Sequence, residues 1–253
     1  MIFVGGPRRE PKVIVVLPAM NAARTLERTV EAIPRDFVDE VILVDDHSTD
    51  ETLALARTLP IHLVWHPHNA GYGANQKTCY LEALQRDADI VVMLHPDGQY
   101  EPELIPAMCA PIQAREADLV LGSRFAEPGM AIAHGMPRWK YLVNQALTAM
   151  ENRVMGTHLS EAHTGYRAYS REFLLTVPFL RNANDFSFDS EILMQAAAFG
   201  MRIAEVPARG RYLDDSSSVG VGAGTVYGLK TLWAGVRLYL HRMRIVSSRR
   251  FRV

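Results

Sequence analysis

The chain has 253 residues, 48% of them hydrophobic, with 27 lysines and arginines against 28 aspartates and glutamates and a formal net charge of −1. That length and apolar content suit one large domain with a full core and a short appendage, and the charge balance speaks against a general nucleic-acid binder. Cys79 and Cys109 lack the spacing of a metal site, so buried free thiols in a reducing compartment are expected. Met1 to Pro11 has no continuous apolar core of a secretion signal, and no stretch is apolar for long enough to cross a bilayer. The expected location is the cytoplasm, with room for peripheral contact with the inner face of the cell membrane.

From Lys12, short apolar runs alternate with amphipathic stretches, the pattern of a mostly parallel sheet flanked by helices. Val13 to Leu17 reads as a strand broken by Pro18, Asn21 to Ile33 as a helix, and Val41 to Val44 as a second strand. Ser48 to Glu51 offers capping residues for a second helix. Leu63 to Trp65 is a third strand. The glycine-containing turn Asn69 to Asn75 leads into a helix from Gln76 to Gln85, and Ile90 to Leu94 and Leu119 to Gly122 are the fourth and fifth strands. Glu127 to Gly135 reads as a loop, Arg138 to Val154 as a helix and Glu161 to Ser170 as a polar turn and strand. Phe188 to Phe199 is a helix, Met201 to Val206 a strand, and Tyr212 to Gly224 a polar loop.

The last stretch, Thr225 to Val246, sets Val226, Leu229, Trp233, Val236, Leu240 and Met243 at helical spacing among Lys230, Arg237, Arg242 and Arg244. Such a basic amphipathic helix either lies on an anionic membrane surface or packs its apolar stripe on the domain or on a second subunit. The second outcome includes a homo-oligomer formed through this helix.

Two strands end in carboxylates. Val41 to Val44 runs into Asp45-Asp46, and Ile90 to Leu94 runs into His95-Pro96-Asp97-Gly98-Gln99. Open α/β sheets bind ligands beyond the carboxyl ends of their strands, so these acids can meet at one edge. Of Asp45 and Asp46, one suits a base or ribose and the other a metal shell, while Asp46, with Ser48 and Asp50, could instead cap the following helix. Asp97 is the better metal candidate, because a hard divalent cation takes one or two carboxylates and fills its shell with phosphates and waters. Gln99 adds a neutral oxygen. His95 has three readings: a ligand favouring manganese over magnesium, a phosphate contact, or a turn residue.

The strings VIVVLPAMNAARTL, EVILVDDHSTDET, NAGYGANQKT, VVMLHPDGQY, LVLGSR, HTGYRAYSRE and FSFDSEIL, in that order from Lys12 to Val206, resemble an inverting family 2 glycosyltransferase of the GT-A fold. Within that family the chain is most similar to the dolichyl- or polyprenyl-phosphate mannose and glucose synthases. The resemblance implies a Rossmann-like catalytic domain over residues 1–211, followed over 212–253 by a polar loop and the basic helix. It implies a UDP- or GDP-linked sugar donor, a polyprenyl phosphate acceptor, and Mg2+ or Mn2+ as cofactor. Pro18, Ala19, Asn21, Asp45, Asp46, Gly71, Gly73, Lys77 and Asp97 fall at donor-binding positions. Asp97 and Gln99 occupy the metal motif, with His95 where its first acid usually stands. Arg124 and Arg138 match the phosphate-binding arginines, Glu161 stands where those enzymes carry Asp, and Glu191 ends an aromatic-x-aromatic-x-x-Glu element.

Ala22 and His95 replace acids of the family pattern, and Ser216-Ser217-Ser218 stands where many lipid-phosphate synthases carry a Ser-Lys element. A lipid phosphate is already a nucleophile and needs only positioning. A sugar hydroxyl would need a base, for which Glu161 is the first candidate and Glu191 the second, unless either pairs with an arginine such as Arg167. A nucleotidyltransferase would show a glycine-rich basic loop where Leu17 to Asn21 stands, and a dinucleotide enzyme would show G-x-G-x-x-G after a strand. A non-catalytic nucleotide-sugar-binding protein is the remaining alternative.

Overall fold

The computed structural model describes residues 10–210 and 221–252. Seven strands form one sheet in the order β3-β2-β1-β4-β6-β5-β7. They are β1 (Val13–Ala19), β2 (Glu40–Asp45), β3 (His62–Trp65), β4 (Ile90–Met93), β5 (Leu119–Ser123), β6 (Arg167–Ser170) and β7 (Ile203–Pro207). All pairings are parallel except those of β6, which runs antiparallel to both β4 and β5. The expected GT-A-type, mostly parallel Rossmann-like sheet is therefore present, with one reversed strand that the apolar pattern does not reveal.

Continuous apolar runs make the central strands because both faces of the sheet are covered. On one face Ile14, Val16, Ile42 and Val44 pack with α3 (Tyr72–Gln85), α8 (Phe188–Ala198) and α9 (Val221–Arg242). On the other, Val13, Val15, Leu17, Val41 and Leu43 pack with α1 (Leu26–Glu31), α2 (Thr52–Ala56) and α4 (Ile105–Gln113). Both cysteines are buried and free, as expected.

Several boundaries differ from the sequence reading for identifiable reasons. Pro18 does not break β1. Val16 accepts a bond from Leu94 N–H, so Val16 and Pro18, two residues apart, face β4, which ends opposite Val16. Pro18 thus forfeits no ladder bond. The first helix is shortened to Leu26–Glu31 because Asn21 sits at φ +54 and residues 22–25 form a turn. α3 begins at Tyr72 rather than Gln76, and the segment 127–135 contains a short helix, α5 (Met130–Ala133). The helix expected from Arg138 is α6 (Arg138–Met155), closed by Gly156 at φ +75. A further short helix, α7 (Arg171–Thr176), follows β6 with Ser170 accepting from Phe173 N–H as its cap.

The C-terminal helix has two apolar faces. Ala234 and Leu238 enter the core, and Gly235 brings α9 so close to α6 that an added Cβ would stand 3.3 Å from Met150 Sδ. Of the stripe read from the sequence, Val226, Leu229, Trp233, Val236 and Met243 form the other face and are exposed, while Leu240 is half-buried. Arg242 donates to the carbonyls of Val154, Met155 and Ala197, fastening α9 to α6 and α8. The expected loop over Tyr212 to Gly224 and its Ser216-Ser217-Ser218 lie largely outside the described residues, as does the expected boundary at residue 211.

Candidate active site

β1, β2, β4 and β5 leave the sheet at one edge, and along that edge the strand order reverses between β1 and β4. Loops diverge at such a reversal and open a crevice. Antiparallel β6 enters the sheet at the same edge, which brings residues 161–166 among the strand-exit loops.

At the β4 exit, Gly98 at φ +72 turns the loop, and the Gln99 N–H donates to Asp97 Oδ1 at 3.0 Å. Asp97 Oδ2 has no hydrogen-bond partner among the described residues, and both Asp97 and Gln99 are partly exposed. The described residues contain no cluster of three or more His, Cys, Asp or Glu able to hold a metal. The fit here is therefore to a cation that takes a single carboxylate and fills much of its shell from phosphate and water. His95 stacks on Tyr72, with Nε2 3.1 Å from the Tyr72 hydroxyl.

At the β2 exit, Asp45 is buried; its Oδ2 accepts from Ser48 N–H at 3.0 Å while Oδ1 has no partner. A buried acceptor without a donor is costly, and a ligand N–H or O–H would satisfy it. Asp46 behaves differently. Its Oδ1 accepts from Ala70 N–H at 2.8 Å and meets His66 Nδ1 at 2.8 Å, and its Oδ2 accepts from Gly71 N–H at 3.0 Å. Asp46 is buried, and these bonds anchor the 69–73 turn. Asn21 is exposed, its N–H bound to Ser48 Oγ and its Oδ1 to Thr49 N–H, so it ties the β1 and β2 exit loops together beside Pro18 and Ala19.

The glycine turn packs on protein rather than opening toward a ligand. A Cβ on Gly71 would stand 2.4 Å from the Asn184 carbonyl oxygen, and one on Gly73 2.4 Å from that of Ala183. Lys77 Nζ binds the Asn182 carbonyl and Asn184 Oδ1. Gly71 and Gly73 thus pack on the backbone of residues 183 and 184, and Lys77 is tied to the same segment. Burial pushes the Lys77 ammonium below its ordinary value, with Arg250 adding to the effect.

Arg124 follows β5 directly. Its backbone N–H donates to Glu161 Oε2 at 2.8 Å, its Nε to Oε1 at 2.9 Å, and its Nη2 also engages Glu161. Nη2 additionally reaches the His163 carbonyl at 3.2 Å. Glu161 is wholly buried and takes a further bond from Asn144 Nδ2 at 3.0 Å. A general base needs an oxygen open to its substrate, whereas both Glu161 oxygens are engaged with Arg124 and Asn144. Tyr100, three residues after Asp97, lies under the guanidinium at 6.0 Å and meets Thr164 Oγ1 at 3.1 Å, joining the Asp97 loop to the Arg124 loop. Arg138 is exposed on the first turn of α6; Tyr141, one turn on, packs against Phe125 beside Arg124.

Glu191 is a structural pair, as one reading allowed, but with other partners than Arg167. It binds Arg250 closely and Arg237 at 3.8 Å, and it accepts from Ala183 N–H at 2.6 Å. The residues that sequence reading missed form a stripe on α6: Asn144 meets Glu161, Thr148 Oγ1 accepts from Ala162 N–H, and Glu151 pairs with His163 Nε2 at 3.1 Å. His163 Nδ1 in turn meets the Tyr227 hydroxyl of α9 at 2.6 Å. Polar residues at positions i, i+4 and i+7 of an amphipathic helix are the signal that could have found the stripe.

The model of the family "Glycosyl transferase family 2" matches residues 14–177, more than half of the chain. Undecaprenyl-phosphate mannosyltransferase of Micrococcus luteus is 29% identical over 90% of this chain and 99% of its own length. UDP-N-acetylglucosamine–dolichyl-phosphate N-acetylglucosaminyltransferase of Methanococcus voltae is 25% identical over 87% of this chain and 93% of its own. Among solved structures, glucosyl-3-phosphoglycerate synthase from Mycobacterium tuberculosis in complex with Mn2+, UDP and phosphoglyceric acid superposes with TM-score 0.69 at 21% identity, over 91% of this chain and 79% of that one. The same enzyme in complex with Mg2+ and UDP gives a TM-score of 0.68 at 22% identity, over 90% and 79%. These structures share the fold.

Proposed function

The chain belongs to glycosyl transferase family 2, and we propose that it moves a hexose, with inversion, from a UDP- or GDP-linked sugar to a polyprenyl phosphate. The observation that carries this reading is the Arg124–Glu161 pair. The acid that would have served a hydroxyl acceptor as base is buried and bound, while the arginine it holds stands at the strand-exit edge. An acceptor that arrives as a phosphate anion needs that cation and no base. The relatives named for undecaprenyl and dolichyl phosphate support the choice.

On the donor side, Asp45 Oδ1 accepts from the nucleoside, with Pro18, Ala19 and Asn21 alongside. Asp97 and Gln99 hold Mg2+ or Mn2+, in keeping with the Mn2+, Mg2+ and UDP of the structural neighbours. When bound, the cation supplies positive charge against the leaving diphosphate. Arg124 aligns the acceptor phosphate, Arg138 is its second contact, and Tyr100 keeps the two loops in register. Residues 1–211 form the catalytic unit, and the C-terminal helix packs against it. Offered the same donor, the protein is expected to glycosylate polyprenyl phosphate and leave the corresponding polyprenol untouched. Equal turnover of the free alcohol, measured by chromatography of the labelled lipid, would count against the assignment.

No helix among the described residues is long and apolar enough to cross a membrane. The exposed Trp139, Leu142 and Val143 of α6 and Leu229, Trp233 and Val236 of α9 lie on two packed helices, interspersed with Lys140, Lys230 and Arg237. That surface suits peripheral attachment to the anionic inner face of a membrane. Replacing Leu229 and Trp233 together by Glu is expected to lower binding to phosphatidylglycerol vesicles by at least about tenfold, since each apolar side chain contributes roughly 1.5–3 kcal/mol on burial. Unchanged co-sedimentation, with light scattering that reports dissociation of a dimer instead, would assign the face to self-association.

A further inference from the structure

His95 occupies a position usually held by an acid, and its surroundings determine what its ring can do. A Cβ added to Gly165 would stand 2.7 Å from both Cδ2 and Nε2 of His95. The Nε2–Cδ2 edge therefore lies against the Gly165 backbone, and Nδ1, the ring atom opposite that edge, faces away from it. Nε2 is 3.1 Å from the Tyr72 hydroxyl, which donates to Asp189 Oδ2 at 2.7 Å. The Asp189 carboxylate is fixed in turn by Gln76 Nε2 at 3.1 Å and by the fully buried Arg167 at 3.7 Å. The Tyr72 hydroxyl carries a single proton.

That proton goes to Asp189. The Tyr72 oxygen is left to accept, so the partner atom on His95 is a donor, Nε2–H. With Nε2 as the donor, Nδ1 is the ring nitrogen left to accept, and it has no hydrogen-bond partner among the described residues. A lone pair repels the oxygens of a phosphate and attracts a cation. The arrangement repeats a common feature of metal-binding histidines, whose second nitrogen donates to a group that fixes tautomer and ring orientation.

We propose that His95 is a cation ligand through Nδ1 beside Asp97, that Tyr72 and Asp189 are its positioning residues, and that the imidazole biases the donor site toward Mn2+ over Mg2+. This inference rests on the assignment of Asp97 to a metal and diphosphate site. An imidazole with a carboxylate suits manganese, whereas magnesium favours an all-oxygen shell.

The test is pulsed EPR on the full chain loaded with Mn2+ and UDP, and in parallel with GDP. Wild type is expected to show nitrogen coupling from a directly bound imidazole. His95→Asp should bind Mn2+ without that coupling and shift the ratio of Mn2+ to Mg2+ affinity toward Mg2+ by at least about tenfold. Tyr72→Phe, which frees the tautomer, should weaken Mn2+ binding by roughly 10- to 100-fold with the melting temperature of the cation-free protein preserved. Mn2+ binding that depends on Asp97 but shows no nitrogen coupling in wild type overturns the assignment and leaves the donor site standing. An affinity ratio unchanged in His95→Asp does the same. Absence of nucleotide-dependent Mn2+ binding in wild type overturns the donor-site assignment and this one together.

Discussion

Asp97→Ala is expected to reduce sugar transfer by about a thousandfold or more, the scale of losing a preorganised electrostatic contact to developing charge. Asp97 lies in the loop that leaves the central strand β4, whose buried residues Ile90 to Met93 anchor that loop, and its Oδ1 is oriented by the Gln99 N–H. The remaining oxygen is the one left for a cation. Because the side chain is partly exposed and pairs with no other side chain, its removal should leave the melting temperature of the free protein nearly unchanged. The stabilisation that UDP and Mn2+ confer on wild type should disappear in the variant. Near-normal turnover, or undiminished thermal stabilisation by UDP with Mn2+, would remove Asp97 from the site.

Arg124→Leu is expected to abolish transfer and also to destabilise the fold, because it strands the buried Glu161 carboxylate. Breaking a buried pair from one side costs about 3–5 kcal/mol, which corresponds to a melting point lower by roughly 10 °C in a domain of this size. Glu161→Leu alone should do similar harm by leaving Arg124 without its counter-charge. The double replacement, Arg124→Leu with Glu161→Leu, should recover much of the lost stability, because a buried pair is often replaced by apolar groups at little net cost. It should recover no activity. Calorimetry and transfer assays on the three variants separate packing from chemistry. A double variant that regains transfer would refute the assignment of Arg124 to the acceptor phosphate.

The strand-exit acids were legible because a strand buried on both faces must be a continuous apolar run, so its end is marked by the first polar residues: Asp45 after Val44, and His95 to Gln99 after Leu94. The motif order then carried the fold. Less legible was local chemistry with two physical uses. A glycine turn admits either a phosphate or another backbone, and here the carbonyls of Ala183 and Asn184 fill the space beside Gly73 and Gly71. Asp46 shares a strand end with Asp45 but turns back to the 69–73 backbone, a distinction that depends on side-chain direction and not on position. The helical period of α9 was clear, yet it could not say that Ala234 and Leu238 bury one face while Trp233 and Val236 remain outside. The pairings of Glu161 and Glu191 depend on arginines and backbone brought near by the fold, so no spacing along the chain announces them.

β6 enters the sheet between two strands that leave it, and the run that feeds it carries both Glu161, which holds Arg124, and Gly165, on which His95 rests. A run of five residues thus supports both the arginine assigned to the acceptor and the histidine assigned to the donor cation. Any insertion, deletion or strand slip between Glu161 and Arg167 moves both supports together, and a one-residue slip of β6 would also turn its side chains to opposite faces. In evolutionary terms the two specificities are not separable modules here. A lineage changing its acceptor through this segment would disturb its donor chemistry in the same step, whereas one varying the loop over residues 127–135 or the exposed face of α9 would not.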